Sequence, residues 1–214
     1  MKKYTAEFIG TFALVFCGTG AVIVNEITLG AITHTGVSIT FGLIVMCMIY
    51  VIGDISGAHM NPAITLSFAV NRSFPWKQVL PYIVSQLAGA ILASVILAFL
   101  FPASIGLGAT LPVGEFHQSF ILEIVITFFL MFTILRVATG SKEQGMFAGI
   151  AIGAMVMLMA MFAGPISGAS MNPARSLGPA LVSGEWHLFW IYITAPFMGA
   201  LAAVGVNRFL KSQQ

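Results

Sequence analysis

Apolar residues along this chain come in long runs rather than at alternating positions. Six runs, near 5–24, 33–53, 79–101, 118–138, 146–164 and 187–207, reach the length of a membrane-spanning helix. Such a helix needs about 20 apolar residues to cross a hydrocarbon core of roughly 30 Å. The ten-residue alternating segments of an outer-membrane barrel are absent. The first run follows Met1-Lys2-Lys3, as in a signal peptide, but Glu7 interrupts it. It continues to Val24 without a small-residue cleavage site, so it is kept as a span. Composition supports this pattern: 58% of the 214 residues are hydrophobic and 7% are charged, against about 25% charged in a soluble domain. So few charges could not cover a globule in water. The expected class is an all-α membrane protein.

The cations give the orientation. Lys2, Lys3, Arg72, Lys77, Arg136, Lys142, Arg208 and Lys211 are eight of the nine Lys and Arg residues, and all fall on the N-terminal side of a six-span chain. The opposite loops carry Glu26, Glu115 and Glu185 and, among the cations, only Arg175. The positive-inside rule then puts both termini in the cytoplasm, in the cell's inner (plasma) membrane. A net charge of +2 without a basic patch gives no reason to expect a nucleic-acid partner. Cys17 and Cys47 lie in apolar runs, outside any disulfide framework or metal-ligand spacing. Neither a metal nor a cofactor is expected.

The chain repeats itself. Residues 55–63 (ISGAHMNPA) and 166–174 (ISGASMNPA) are identical at eight of nine positions. EFIGTFALVF from Glu7 pairs with EIVITFFLMF from Glu123, and YIVSQLAGA from Tyr82 pairs with YITAPFMGA from Tyr192, in the same order. The repeats cover about 1–105 and about 115–214 within a single domain over 1–214. Each holds three spans, an odd number, so the second copy enters the membrane upside down about a pseudo-two-fold axis. After each shared motif comes a short apolar stretch, Pro62 to Val70 and Pro173 to Val182. About ten residues make a helix of roughly 15 Å, half a bilayer. Asn before Pro is a strong helix start, because Asn caps and Pro loses no hydrogen bond in the first turn. Gly57 and Gly168 suit the tight turns that precede. Irregular backbone at membrane depth must be buried in protein or line a cavity. Two re-entrant half-helices dipping from opposite faces and meeting at the midplane satisfy that condition.

These residues resemble the aquaporin superfamily, the major intrinsic proteins, over essentially the whole chain. Two Asn-Pro-Ala boxes, Asn61-Pro62-Ala63 and Asn172-Pro173-Ala174, the second followed by Arg175, carry the resemblance. Gly164 to Ala180 looks most like the nodulin-26-like branch and its bacterial relatives. The resemblance implies six transmembrane helices plus two re-entrant half-helices in an inverted 3+3 repeat, assembled as a homotetramer with one pore per subunit. It also implies a selectivity ring of Arg175 with Phe41, Ala160 and Ala169, counted without gaps from the motifs. Strict water channels place His where Ala160 stands, so a wider, less hydrophilic ring is expected here. Glycerol facilitators carry Asp and Lys where this chain has Ser176 and Ala180, a departure from their pattern.

The residues suggest their own chemistry. Two half-helix N-termini at one point would each present roughly half a positive charge and unsatisfied N–H donors, which repels cations. The amides of Asn61 and Asn172 could hold a permeating oxygen and interrupt a proton wire. Arg175 lies about 4.5 Å from Asn172 along the helix axis, and a charge at that depth normally faces a cavity. Glu7 and Glu123 are expected to support the loops by accepting their backbone N–H groups, with Gln86 serving similarly. His59 fits a scaffold or a pore-lining role equally well, and His34, His117 and His187 are read as surface residues. Met155, Met157, Met159 and Met161 scatter around a helix as apolar filler, while Gly145, Gly149 and Gly153 form a stripe for close helix contact. The expected function is a passive channel for water and small uncharged solutes, such as glycerol-like polyols or boric and arsenous acid, excluding ions and protons. The alternative is a proton- or sodium-coupled transporter using Glu7 and Glu123. No nucleophile or metal constellation suggests an enzyme.

Overall fold

The computed structural model describes residues 1–138 and 145–211; Lys142, one of the cations used above for orientation, lies outside them. Among the described residues, six helices are long and apolar enough to cross a membrane. They are α1 (Lys2–Ile27), α2 (Thr33–Ser56), α4 (Val79–Leu100), α5 (Phe116–Ala138), α6 (Ala148–Ser167) and α8 (Trp190–Lys211). Between them sit two short helices, α3 (Pro62–Val70) and α7 (Pro173–Ser183). Most long helices run a few residues past their apolar runs, because backbone hydrogen bonding continues into the polar interface where hydropathy has already fallen. The half-helices begin where the Asn-Pro pairs place them.

Packing follows the repeat. Helix α1 lies against α2 and α4, as α5 lies against α6 and α8; α4 packs on α7, as α8 packs on α3. Exchanging the halves preserves these contacts, and α2 with α6 and α3 with α7 form the self-paired contacts on the axis. This is the inverted 3+3 repeat. At the α2–α6 crossing, a Cβ on Gly42 would stand 2.6 Å from the Gly153 carbonyl, and one on Gly153 would stand 2.6 Å from the Gly42 carbonyl. Of the expected glycine stripe, Gly153 makes this backbone contact, Gly149 faces the Tyr50 ring, and Gly145 is open.

The bundle is apolar outside as well as inside. Val51, Leu80, Phe99, Ile121 and Phe162 are exposed on its helices, a surface suited to lipid tails. The buried polar groups concentrate in the middle, among them Glu7, Gln86, Glu123, Asn61, Asn172 and Arg175. A multi-pass membrane protein with a polar interior results.

Candidate functional site

The two loops entering the half-helices share one construction. Helices α2 and α6 end at Gly57 (φ +88°) and Gly168 (φ +79°), left-handed positions that turn the chain back. Ala58, Met60, Ala169 and Met171 are also left-handed, a conformation that L-residues adopt only when surrounding contacts impose it. Carboxylates impose it here. Glu7 accepts the His59 N–H at 2.9 Å, the Met60 N–H at 2.7 Å, the Ser56 hydroxyl at 2.7 Å and the Gln86 amide at 2.7 Å. Glu123 accepts the Ser170 N–H at 2.8 Å, the Met171 N–H at 2.9 Å and the Ser167 hydroxyl at 2.7 Å. Ser56 and Ser167 take the N–H groups of Ala58 and Ala169. Peptide planarity then points the carbonyls of Gly57, Ala58 and His59, and of Gly168, Ala169 and Ser170, the opposite way. These residues line the cavities described below.

Each Asn caps its own half-helix and reaches into the other loop. Asn61 Oδ1 accepts from Ala63 N–H, and Asn172 Oδ1 from Ala174 and Arg175 N–H. Asn61 Nδ2 donates to the Met171 carbonyl at 2.7 Å, and Asn172 Nδ2 to the Met60 carbonyl at 2.8 Å. These bonds hold the two N-termini together. Each amide keeps a second N–H, and both Asn side chains border the cavity. The capping and donor roles coexist in the same residue.

Two cavities approach this point. One, of about 140 Å³, opens toward the face that holds the termini; it is walled by Val45, Ile49, Ile134 and Ile152 on one side and by the loops and both Asn on the other. The second, of about 260 Å³, opens toward the opposite face between Asn25, His34, Ser38 and Gly108. Four residues line both: Phe41, Ala160, Ala169 and Arg175. They are the four positions counted from the motifs, and both cavities share them as lining. Arg175 is 4% exposed, lies 5.2 Å from the Phe41 ring centroid and donates from Nη1 to the Gly108 carbonyl at 3.0 Å. Its held orientation comes from that carbonyl and that ring.

Comparison with known proteins decides the family. The model of the major intrinsic protein family matches residues 1–206. The chain belongs to this family, the aquaporins. It is 51% identical over 212 residues to Aquaporin NIP1-1 of Oryza sativa subsp. japonica, covering 99% of this chain and 75% of the relative. It is 46% identical over 212 residues to Nodulin-26 of Glycine max, covering 99% of this chain and 78% of the relative. Among solved structures, the aquaglyceroporin from Plasmodium falciparum superposes with a TM-score of 0.83 at 25% identity, over 95% of this chain and 93% of that one.

Several residues of this aquaporin's site escaped sequence reasoning. Tyr82 and Tyr192 donate to the Ser56 and Ser167 carbonyls at 2.9 and 2.7 Å; their matched places in the repeat were the available signal. His59 bonds Thr65 through Nδ1 at 3.2 Å and packs among Phe68, Phe74 and Tyr82 while lining the cavity, so it fills both roles left open above. His34 is exposed, yet it borders the second cavity and bonds the Met161 carbonyl at 2.8 Å. Glu7 and Glu123 border neither cavity, which leaves a carboxylate relay along the path without support.

Proposed function

We propose that this aquaporin is a passive channel for water and small uncharged solutes, linear polyols and metalloid hydroxides among them, that excludes ions and protons. The observation that carries this is the lining that the two cavities share: the small side chains of Ala160 and Ala169, the Phe41 ring and the Arg175 guanidinium 5.2 Å from that ring's centroid. The guanidinium supplies hydrogen bonds to a solute hydroxyl, and the apolar walls suit a hydrocarbon or metalloid face. The names of the relatives and of the structural neighbour agree with a path for water and glycerol. Asn61 and Asn172 hold a permeating oxygen with their remaining N–H groups, and the two half-helix N-termini oppose cations electrostatically.

The 214 residues form one channel domain of two repeats, about 1–105 and 115–214. Both termini face the cytoplasm of a cell whose plasma membrane holds the protein, and the subunits assemble as a homotetramer. Cation placement supports the orientation, and family resemblance supports the assembly.

A passive path equilibrates its solute without a driving gradient. Glycerol equilibration into proteoliposomes is expected to proceed at the same rate with and without a protonophore; uptake that collapses with the protonophore would establish the coupled transporter instead. Replacing the charge at the ring tests ion exclusion. Arg175→Ala is expected to admit a proton or cation conductance absent from the wild type, read in planar bilayers. A tight Arg175→Ala channel would show that the half-helix ends alone exclude ions.

A further inference from the structure

The two re-entrant loops are related by the repeat, but they are not braced alike. In the first, Thr65 Oγ1 accepts from Gln86 Nε2 at 2.9 Å, and Gln86, from α4, also bonds Glu7. A transmembrane helix therefore fixes that loop. In the second repeat Pro196 stands where Gln86 would be, and a proline side chain donates nothing. Ser176 occupies the place of Thr65, and its donor comes from outside the helices: Thr110 Oγ1, 2.7 Å away, in the connector between α4 and α5.

The hydroxyl protons assign a direction. Ser170 Oγ donates to the Asn172 carbonyl at 3.0 Å and pairs with Ser176 Oγ. Each hydroxyl has one proton, so the chain runs Thr110 to Ser176 to Ser170 to the Asn172 carbonyl. Thr110, Ser170 and Ser176 are all buried. Two residues before Thr110, the connector offers the carbonyl that holds Arg175, at left-handed Leu107 and Gly108. Thr110 also abuts the turn leading to Ala169: a Cβ on Gly168 would meet its Cα and Cγ2 at 3.2 Å. Further along, the Val113 N–H donates to the Ile166 carbonyl at 3.0 Å. One connector thus touches the supports of both ring members that the second loop supplies.

We propose that Thr110 is a positioning residue for solute selection: its hydroxyl, through Ser176 and Ser170, clamps the α4–α5 connector onto the second re-entrant loop and so fixes the Gly108 carbonyl that holds Arg175. The inference rests on the channel reading above. With the clamp open, the connector withdraws, and the guanidinium loses its acceptor and turns into the lumen. That narrows the path for a solute wider than water.

Two substitutions at one position separate the hydroxyl from the methyl. Thr110→Val keeps the shape and loses the donor; Thr110→Ser keeps the donor. By stopped-flow light scattering on proteoliposomes, Thr110→Val is expected to lower glycerol flux about fivefold, the value of one net hydrogen bond. Water flux should stay within about twofold of wild type, and Thr110→Ser should retain the wild-type glycerol-to-water ratio. Ser176→Ala should reproduce Thr110→Val, and the double variant should be no worse than either, because one chain is broken once. A wild-type ratio in Thr110→Val, or a Thr110→Ser as impaired as Thr110→Val, overturns the proposal. Loss of both fluxes together in Thr110→Val and Ser176→Ala overturns it too, by assigning the hydroxyls to folding. Wild-type protein inert to both solutes would instead refute the channel reading on which the inference stands.

Discussion

Glu7→Ala is expected to destabilise this protein more than substitution of any other loop-supporting residue, and Glu123→Ala slightly less. Glu7 accepts two backbone N–H groups, the Ser56 hydroxyl and the Gln86 amide. Alanine strands the His59 and Met60 N–H groups and one Gln86 N–H in a buried site, while the Ser56 hydroxyl keeps the Ile52 carbonyl and Gln86 keeps Thr65. Each buried donor left unmade costs about 1–3 kcal/mol, so the loss rivals a whole domain's stability of roughly 5–15 kcal/mol. Glu123 holds three such donors. The left-handed residues in each loop are kept there by these bonds, and without them the half-helix N-termini separate. Thermal unfolding of detergent-purified protein checks the order: Glu7→Ala lowest, Glu123→Ala next, wild type highest. Variants melting beside the wild type would show that the loops are held by something other than the carboxylates.

Ala160→His is expected to suppress glycerol flux by about tenfold or more while leaving water flux close to wild type. Ala160 is buried and borders both cavities beside Phe41, Ala169 and Arg175. An imidazole there projects from the lining that both cavities share, and overfilling a packed site costs about 1–3 kcal/mol, which as a barrier to a bulky solute is about fivefold to 150-fold. Water is small enough to pass and gains a further hydrogen-bonding partner. Parallel glycerol and water measurements on the variant decide the matter. An unchanged flux ratio would mean that the narrowest point of the path lies elsewhere.

The half-helices were legible because their starts are written in short-range chemistry. Asn61-Pro62 and Asn172-Pro173 each specify a cap and a first turn, and α3 and α7 begin there. Phe41 and Ala160 lie on α2 and α6, which run as helices from those residues to the motifs, so a count along the chain keeps its register. Helix ends were less legible: α1 covers Lys2–Ile27 where hydropathy marks 5–24, since lipid contact ends before hydrogen bonding does. The connector was not legible at all. Gly108 acts through a backbone carbonyl that every residue has, and Thr110 through a hydroxyl in a stretch without periodicity. His34 is exposed, as its place near an outer loop suggests, but the surface concerned lines the second cavity, a distinction only the fold makes.

Two half-helices meet N-terminus to N-terminus and leave a neutral-solute path past a fixed guanidinium. Osmotic response of proteoliposomes, followed by stopped-flow light scattering with water and glycerol against empty vesicles, tests it most directly. Faster shrinkage under an impermeant osmolyte and faster reswelling in glycerol than in empty vesicles are the predicted results. Rates equal to those of empty vesicles for both would contradict the claim.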